Sequence, residues 1–357
     1  MNGFKLLAAA PLLFALGACA TQSEAKTTPH ARTTPASTPA RPVPPPALTA
    51  AQKTFIASMR EKYGFSEAEL ATALRRPERK DVIALMTRPA EKTKPWYEYR
   101  PIFITDARAN AGVAFWQEHA DALARAEKTY GVPAQFIVAI IGVETYYGKI
   151  KGKIPVLDAL NTLAFYYPPR APFFTSELEA YLLLARSEDW RYDLPTGSYA
   201  GAMGYGQFMP SNYRTLAVDF NGNGHKDLIG DPVDAIGSVA NYLKHHGWQN
   251  GGPLVQSVKA PASALEQLKG KDYRPRLGKT ELDKAGVKAS PSLPADVKAA
   301  YLELATGPDT TGQWLTYQNF YVITRYNKSP MYAMAVTELA GQIKSGYNQS
   351  QSRQAQR

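Results

Sequence analysis

The sequence predicts a mainly α protein of the α+β class, a helical body that carries a small, partly β lobe. Three observations predict it. Apolar residues recur every three or four positions over most of the chain from Leu48 onward. Helix start and stop signals punctuate those runs, among them Gly131-Val132-Pro133 and Asp231-Pro232-Val233-Asp234. Residues 251–313 break the pattern with Gly251-Gly252, an apolar Leu254–Val258 stretch and Gly/Pro punctuation through Pro294, which reads as short strands and turns.

The elements follow in order. Met1–Lys5 is weakly positive, Leu6–Leu16 is apolar, and Gly17-Ala18-Cys19 follows. The run is too short to span a bilayer comfortably and has the layout of a secretory signal. Leu16-Gly17-Ala18-Cys19 resembles the bacterial lipoprotein processing box. That implies removal of residues 1–18, diacylation of the Cys19 thiol and anchoring in a lipid bilayer. An ordinary signal with an incidental cysteine is the alternative. Position 20 is Ala and not the Asp of inner-membrane retention, so in a diderm cell the expectation is the periplasmic face of the outer membrane. Residues 19–47 are polar and Pro-rich and form the expected tether.

From there to residue 347 the chain has the periodicity of a folded domain, and residues 348–357 read as a polar tail. Phe55, Ile56 and Met59 mark a first helix that Gly64 interrupts. Ser66-Glu67-Ala68-Glu69 caps a second one, through Leu74. Trp96–Phe103 reads as extended, before one long helix from about Asp106 to Lys128. Phe136, Ile137, Ile140 and Ile141 predict a central buried helix. Further helices are expected at 158–165, 176–188, 207–217, 232–245 and 331–343, with a brief one near 262–269.

The 357 residues are 45% hydrophobic and 20% charged, which excludes wholesale disorder. A net charge of +10 favours anionic partners without choosing among them. No nucleic-acid motif accompanies it, so nucleic acid is not an expected partner. One cysteine excludes an intramolecular disulfide and a thiolate cluster, and five His residues without an HExxH arrangement argue against a zinc site.

Glu144 lies seven, four and three residues after Ile137, Ile140 and Ile141, on their side of the helix. A carboxyl group there must be paired, hydrogen-bonded or protonated. A raised pKa suits a general acid, while a structural cap or ion pair is an equal reading from position alone. Small and aromatic residues surround it in Gly142-Val143-Glu144-Thr145-Tyr146-Tyr147-Gly148. Ser198–Ser211 then gathers glycines, Ser198 and Gln207, which permits close backbone approach and amide hydrogen bonding, or else a turn-to-helix join.

These stretches, together with Asp234–Tyr242, Tyr321–Asn327 and Tyr332–Val336, resemble the MltB-type lytic murein transglycosylases from about residue 50 to 345. The resemblance implies a lysozyme-like helical catalytic core and peptidoglycan glycan strands as substrate. It implies cleavage of the N-acetylmuramic acid to N-acetylglucosamine β-1,4 bond with formation of 1,6-anhydromuramyl ends, and no organic cofactor. By the same resemblance Glu144 is the single acid/base, Ser198 and Gln207 line the cleavage site, and Tyr242, Tyr326, Asn327 and Tyr332 hold sugar and acetamido groups along the groove. Wall-remodelling proteins are candidate partners, and nothing in the sequence demands an oligomer, so a monomer is expected.

Asp219-Phe220-Asn221-Gly222-Asn223-Gly224-His225-Lys226-Asp227 has the opening of an EF-hand loop. Asp219, Asn221, Asn223 and Asp227 stand at side-chain positions and His225 offers a carbonyl, but Gly230 replaces the bidentate Glu at the twelfth position. The resemblance implies a structural calcium ion here. The competing reading is a metal-free loop closed by Asx turns. Two alternatives to the transglycosylase stay open: a hydrolysing muramidase with the same acid, and a noncatalytic peptidoglycan-binding lipoprotein.

Overall fold

A computed structural model describes residues 45–87, 94–270, 272–287, 294 and 296–356. The signal segment, Cys19 and all of the tether but its last residues lie outside the described residues. The chain forms two compact units, divided at Pro77–Glu78.

The smaller unit holds α1 (Ala50–Tyr63) and α2 (Glu67–Leu74). Thr49 and Gln52 close a reciprocal capping box on α1, and the Gln52 amide then donates to the Leu74 carbonyl at 2.9 Å, tying the end of α2 to the start of α1. Ser66 caps α2, as its sequence predicts.

The larger unit begins with α3 (Lys80–Thr87) and α4 (Trp96–Phe103). The segment expected to be extended is therefore a helix. Its buried residues Trp96, Tyr99 and Phe103 sit at helical spacing, which the aromatic content and Pro101 obscure. The long helix expected from Asp106 is two, α5 (Asp106–Glu118) and α6 (Ala120–Tyr130). His119 breaks them with φ −115° and ψ 29°, its ring held edge-on to Phe115.

α7 (Ala134–Thr145) is the axis of this unit. α5, α6, α11 (Pro232–His245) and α15 (Pro330–Ala355) all pack on it. Ile137, Val138, Ile140 and Ile141 are completely buried. Each such side chain contributes about 1.5–3 kcal/mol of transfer free energy, so α7 is anchored all round. Between these come α8 (Val156–Phe165), α9 (Ala171–Ser187), α10 (Pro210–Leu216) and the two-residue strands β1 (Ile154–Pro155) and β2 (Thr196–Gly197). α10 starts three residues later than the sequence predicts, because Gln207 has φ 51° and cannot join it.

The β lobe is a three-stranded antiparallel sheet ordered β3 (Val255–Ser257), β5 (Thr310–Thr316), β4 (Ala300–Gly307). α12 (Leu265–Leu268) and α13 (Lys279–Lys284) pack beside it around Leu268, Leu282, Tyr301 and Leu315. The chain returns through α14 (Gln318–Tyr326) into α15. α15 continues to Ala355, so the expected polar tail is helical; its apolar periodicity stops near Ile343, but no proline follows and the single Gly346 does not end it. Among the described residues no helix is long and apolar enough to cross a membrane.

Candidate active site

Glu144 occupies the last turn of α7 and is 8% exposed. The helix ends in a left-handed turn. Tyr146 and Tyr147 follow with φ 51° and 59°, a left-handed conformation costing roughly 1–2 kcal/mol for each L-residue. Surrounding bonds fix it: Tyr147 Oη donates to the Arg108 carbonyl at 2.8 Å, Gly148 N donates to Thr145 Oγ1 at 3.0 Å, and an Arg108 Nη1 donates to the Gly142 carbonyl at 2.6 Å. That guanidinium meets the carboxyl end of the helix, where positive charge is favoured.

The Glu144 carboxyl receives one hydrogen bond from a side chain, Tyr332 Oη to Oε1 at 2.7 Å. Burial penalises the carboxylate and outweighs this bond, which by itself would lower the pKa. The result is a carboxyl pushed up to about 8. Tyr332 is positioned by the first turn of α15, where Ser329 Oγ accepts its backbone N–H at 3.4 Å. Burial and the nearby carboxyl group hold the Tyr332 phenol well above its ordinary pKa, so it stays a donor.

The second wall comes from residues 196–208. Gly197 pairs with both Ile154 and Met203, and Met203 pairs with Phe208, so the strand folds back on itself. Gly204 turns this segment with φ 74°, and a Cβ there would strike the Leu228 carbonyl. Gln207 emerges in a left-handed conformation, its amide nitrogen donating to the Gly204 and Lys151 carbonyls at 3.0 and 3.2 Å. Its Oε1 is buried without a partner, an acceptor left for a bound N–H or O–H. Ser198 serves differently. Its Oγ accepts from Ala202 N at 3.1 Å and Ala200 N at 3.3 Å, bracing the same turn, and it is not among the residues that line the cleft.

The third wall is aromatic. Tyr242 and Tyr326 stand with ring centres 4.6 Å apart, and Phe208 meets both rings at 5.7 and 6.0 Å. Their hydroxyls are committed to backbone carbonyls, Tyr242 to Arg325 at 2.7 Å and Tyr326 to Gly206 at 2.6 Å. They present ring faces and edges to the cleft instead of free hydroxyls. Asn327 lines it too, its Oδ1 accepting from Ser329 N at 3.3 Å. The cleft has a volume of about 110 Å³.

The structure thus brings Glu144, Gln207, Tyr242, Tyr326 and Asn327 to one cleft, with Tyr332 behind Glu144 and Ser198 behind the turn. Sequence reasoning missed Arg170, Phe173, Phe174, Asn212 and Arg325, which share the lining. The signal available for the first three was the basic and aromatic cluster after Pro168-Pro169, where α9 begins.

Apart from Glu144 no carboxylate lies among the described residues that line the cleft. Glu177, buried in α9, caps α10 instead. Its Oε1 and Oε2 accept from Ser211 Oγ and N at 2.7 and 3.0 Å, where the helix's own N-cap residue, Met209, offers no side-chain acceptor.

The 219–227 loop lies ahead of α11. Asp219 accepts the N–H groups of Gly222, Asn223 and Gly224 at 2.7–3.1 Å, Asn221 Oδ1 accepts Asn223 N at 2.9 Å, and Asn223 Oδ1 accepts His225 N at 2.9 Å. Asp227 Oδ1 accepts Ile229 and Gly230 N, and His225 Nδ1 lies 3.6 Å from a Glu188 carboxylate oxygen. Asp234, fully buried in α11, accepts Phe220, Asn221 and Asp227 N at 2.7–3.1 Å and clamps both ends of the loop. Among the described residues no group of three or more His, Cys, Asp or Glu is gathered for a metal. The donor set is oxygen from one Asp, two Asn, a carbonyl and Asp227, and each Asn oxygen keeps a second lone pair.

Comparison with known proteins places this architecture. Residues 48–341 match the family model of the transglycosylase SLT domain. Membrane-bound lytic murein transglycosylase B of Escherichia coli (strain K12) is 46% identical over 300 residues, which is 80% of each chain. The crystal structure of soluble lytic transglycosylase SltB1 from Pseudomonas aeruginosa is similar with a TM-score of 0.78 and 47% identity, covering 83% of this chain and 99% of that one. Escherichia coli lytic transglycosylase Slt35 in complex with calcium is similar with a TM-score of 0.76 and 42% identity, covering 84% of this chain and 94% of that one. On its sequence and its overall fold alike, the chain belongs to the transglycosylase SLT family.

Proposed function

We propose that this chain cleaves peptidoglycan glycan strands as a lytic transglycosylase, with Glu144 as its single acid and base. The observation that carries the reading is one buried carboxyl group, protonated at neutral pH, on the wall of a cleft that offers no second carboxylate. Two-carboxylate glycoside hydrolysis needs a nucleophile or base opposite the acid. Here the substrate supplies both missing parts. Protonated Glu144 donates to the oxygen between N-acetylmuramic acid and N-acetylglucosamine as the C1–O bond breaks. The muramyl 2-acetamido group stabilises C1. Ionised Glu144 then takes the proton of the C6 hydroxyl as O6 bonds to C1, giving a 1,6-anhydromuramyl end and restoring the acid without consuming water.

Tyr332 fits both halves of this cycle. Its hydroxyl supports the carboxylate once the proton has left, yet does not offset burial enough to ionise the resting group. Gln207 Oε1 suits a sugar N–H or O–H, and the Tyr242 and Tyr326 rings suit sugar faces and exclude water from C1. Ser198 supports Gln207's turn. The muramidase alternative shares the acid and base and differs only in the nucleophile, a water in place of O6, so the end group of the product separates the two.

The 219–227 loop takes a weakly held structural calcium ion in this reading. Asp219, Asn221, Asn223, the His225 carbonyl and Asp227 would hold it, and the replacement of acids by two Asn and by Gly230 lowers the attracting charge. The backbone bonds to Asp219 and Asp234 shape the loop independently of the ion. Acylated Cys19 would hold the enzyme at a membrane surface in the periplasm, consistent with the membrane-bound relative.

Glu144→Gln should lower release of fragments from purified sacculi by at least roughly 10²-fold without loss of fold. Wild-type products should be one water lighter than the reducing sugars a hydrolase releases; undiminished cleavage by the variant, or reducing ends alone, refutes the chemistry. The acid form is lost as pH rises, so kcat/KM should decline above about pH 8. Tyr332→Phe removes a donor to the carboxylate and should move that alkaline limb upward; an unmoved or lowered limb contradicts the role given to Tyr332. Calorimetry with calcium should give a dissociation constant on the order of 10⁻⁴–10⁻³ M, removed by Asp219→Ala; no heat at several times that concentration refutes the ion. Cys19→Ala should transfer the protein from the membrane to the soluble periplasmic fraction, and retention at the membrane would sink the anchor.

A further inference from the structure

Two guanidinium groups gather on one tyrosine at the rim of the cleft. Tyr321 lies on α14, one helical turn before Arg325, and both are partly exposed. Arg325 lines the cleft beside Tyr326 and Asn327, with its Cζ 5.9 Å from the centre of the Tyr321 ring. The second cation arrives from the β lobe: Arg274 places Cζ 5.6 Å from the same ring centre, and an Nη donates to Tyr321 Oη at 3.2 Å.

The loop that delivers Arg274 is braced. Arg274 N donates to Asp272 Oδ1 at 3.1 Å, and Leu277 and Ala299 exchange backbone bonds at 2.9 and 2.8 Å. Arg276 pairs with Asp272 through its side chain, whereas Arg274 and Arg325 form no ion pair among the described residues. The Tyr321 ring offsets part of the repulsion between the two guanidinium groups, and the Asp272 carboxylate acts on Arg274 from the loop without forming an ion pair with it, which leaves both forks able to take an added anion. A planar, forked donor is the group suited to a carboxylate, and a ring that holds two of them reduces the side-chain freedom lost on binding.

We propose that Arg274 and Arg325, arranged about Tyr321, form a carboxylate clamp for the peptide stem carried by the muramyl sugar. The assignment rests on the glycan-cleaving reading of the cleft. Arg325 faces the sugar groove while Arg274 stands outside its lining, so the clamp extends from the groove toward the β lobe. A stem bears free carboxylates at a distance from the sugar ring; the lactyl carboxylate of a stem-free sugar stays close to the ring. The position of Arg274 favours the stem. The β lobe then acts in substrate selection, and it does so through a positively charged residue that no sugar contact requires.

The test is binding to the Glu144→Gln protein, which needs no turnover. Calorimetry uses three soluble probes: an N-acetylglucosaminyl-N-acetylmuramyl peptide with free carboxylates, the same compound with its carboxylates amidated, and the stem-free disaccharide with its lactyl carboxylate. Arg274→Gln should weaken the free-acid peptide about tenfold, Arg274→Lys should weaken it less, and Arg325→Gln should weaken it by at least as much. Amidation should cost the parent protein a similar factor and make its affinity insensitive to Arg274→Gln. Equal weakening of the free and amidated peptides by Arg274→Gln would overturn the clamp, as would no weakening of either. A loss confined to the stem-free disaccharide would overturn the assignment to the stem. If the parent binds none of the three, the glycan reading itself fails, and that outcome is separate from one in which all bind with no dependence on Arg274.

Discussion

A carboxyl group buried at the end of a packed helix resists ionisation, and the organisation of this cleft depends on that resistance. Glu144 has one answering donor, Tyr332 Oη at 2.7 Å, where a stable carboxylate would gather two or three. α7 cannot yield to relieve the deficit, because α5, α6, α11 and α15 enclose it and its isoleucines are fully buried. The group instead keeps its proton. This arrangement costs stability as well as providing chemistry. The pKa of Glu144 is higher in the folded chain than in the unfolded one, so its contribution is most favourable below about 4.5 and is lost as pH rises through about 8.

The rest of the cleft is arranged around that one group by backbone bonding. Tyr242 and Tyr326 direct their hydroxyls to the carbonyls of Arg325 and Gly206, which joins α11, α14 and the 196–208 turn into a single wall. Gly206 makes the second bond feasible, since a Cβ there would lie 2.8 Å from the Tyr326 hydroxyl. Ser198 braces the turn, the turn sets the unusual backbone of Gln207, and Gln207 leaves one acceptor unpaired. Interlocked in this way, the site requires little reorganisation as charge moves between Glu144 and the sugar.

Much of this is legible in the sequence wherever a local signal coincides with the tertiary outcome. The period of Ile137, Ile140 and Ile141 locates α7 and puts Glu144 on its inward side, and Asp231-Pro232 locates α11, where Asp231 accepts from Val233 N at 2.6 Å. Trp96–Phe103 misleads because aromatic density imitates a strand, while its helical spacing shows only when one asks which side chains are buried. The break at His119 carries no Gly or Pro, so nothing local announces it. Motif resemblance singles out Ser198 and Tyr332 but does not reveal the hydrogen bonds they make, Ser198 within its turn and Tyr332 to Glu144. The second bond joins segments far apart in sequence, across the 188-residue separation of Glu144 and Tyr332. Asp234 is the same case: an acid at the third position of a helix reads as a dipole partner, yet it clamps the loop behind it.

Burial keeps Glu144 protonated at neutral pH, and on that proton the chemistry of the cleft turns. A direct measurement is the pH titration of its side-chain carboxyl by carbon-13 NMR, with the resonance assigned by comparison with Glu144→Gln. The expected midpoint for this one glutamate is near 8. A midpoint in the ordinary carboxylate range near 4.5 would contradict it.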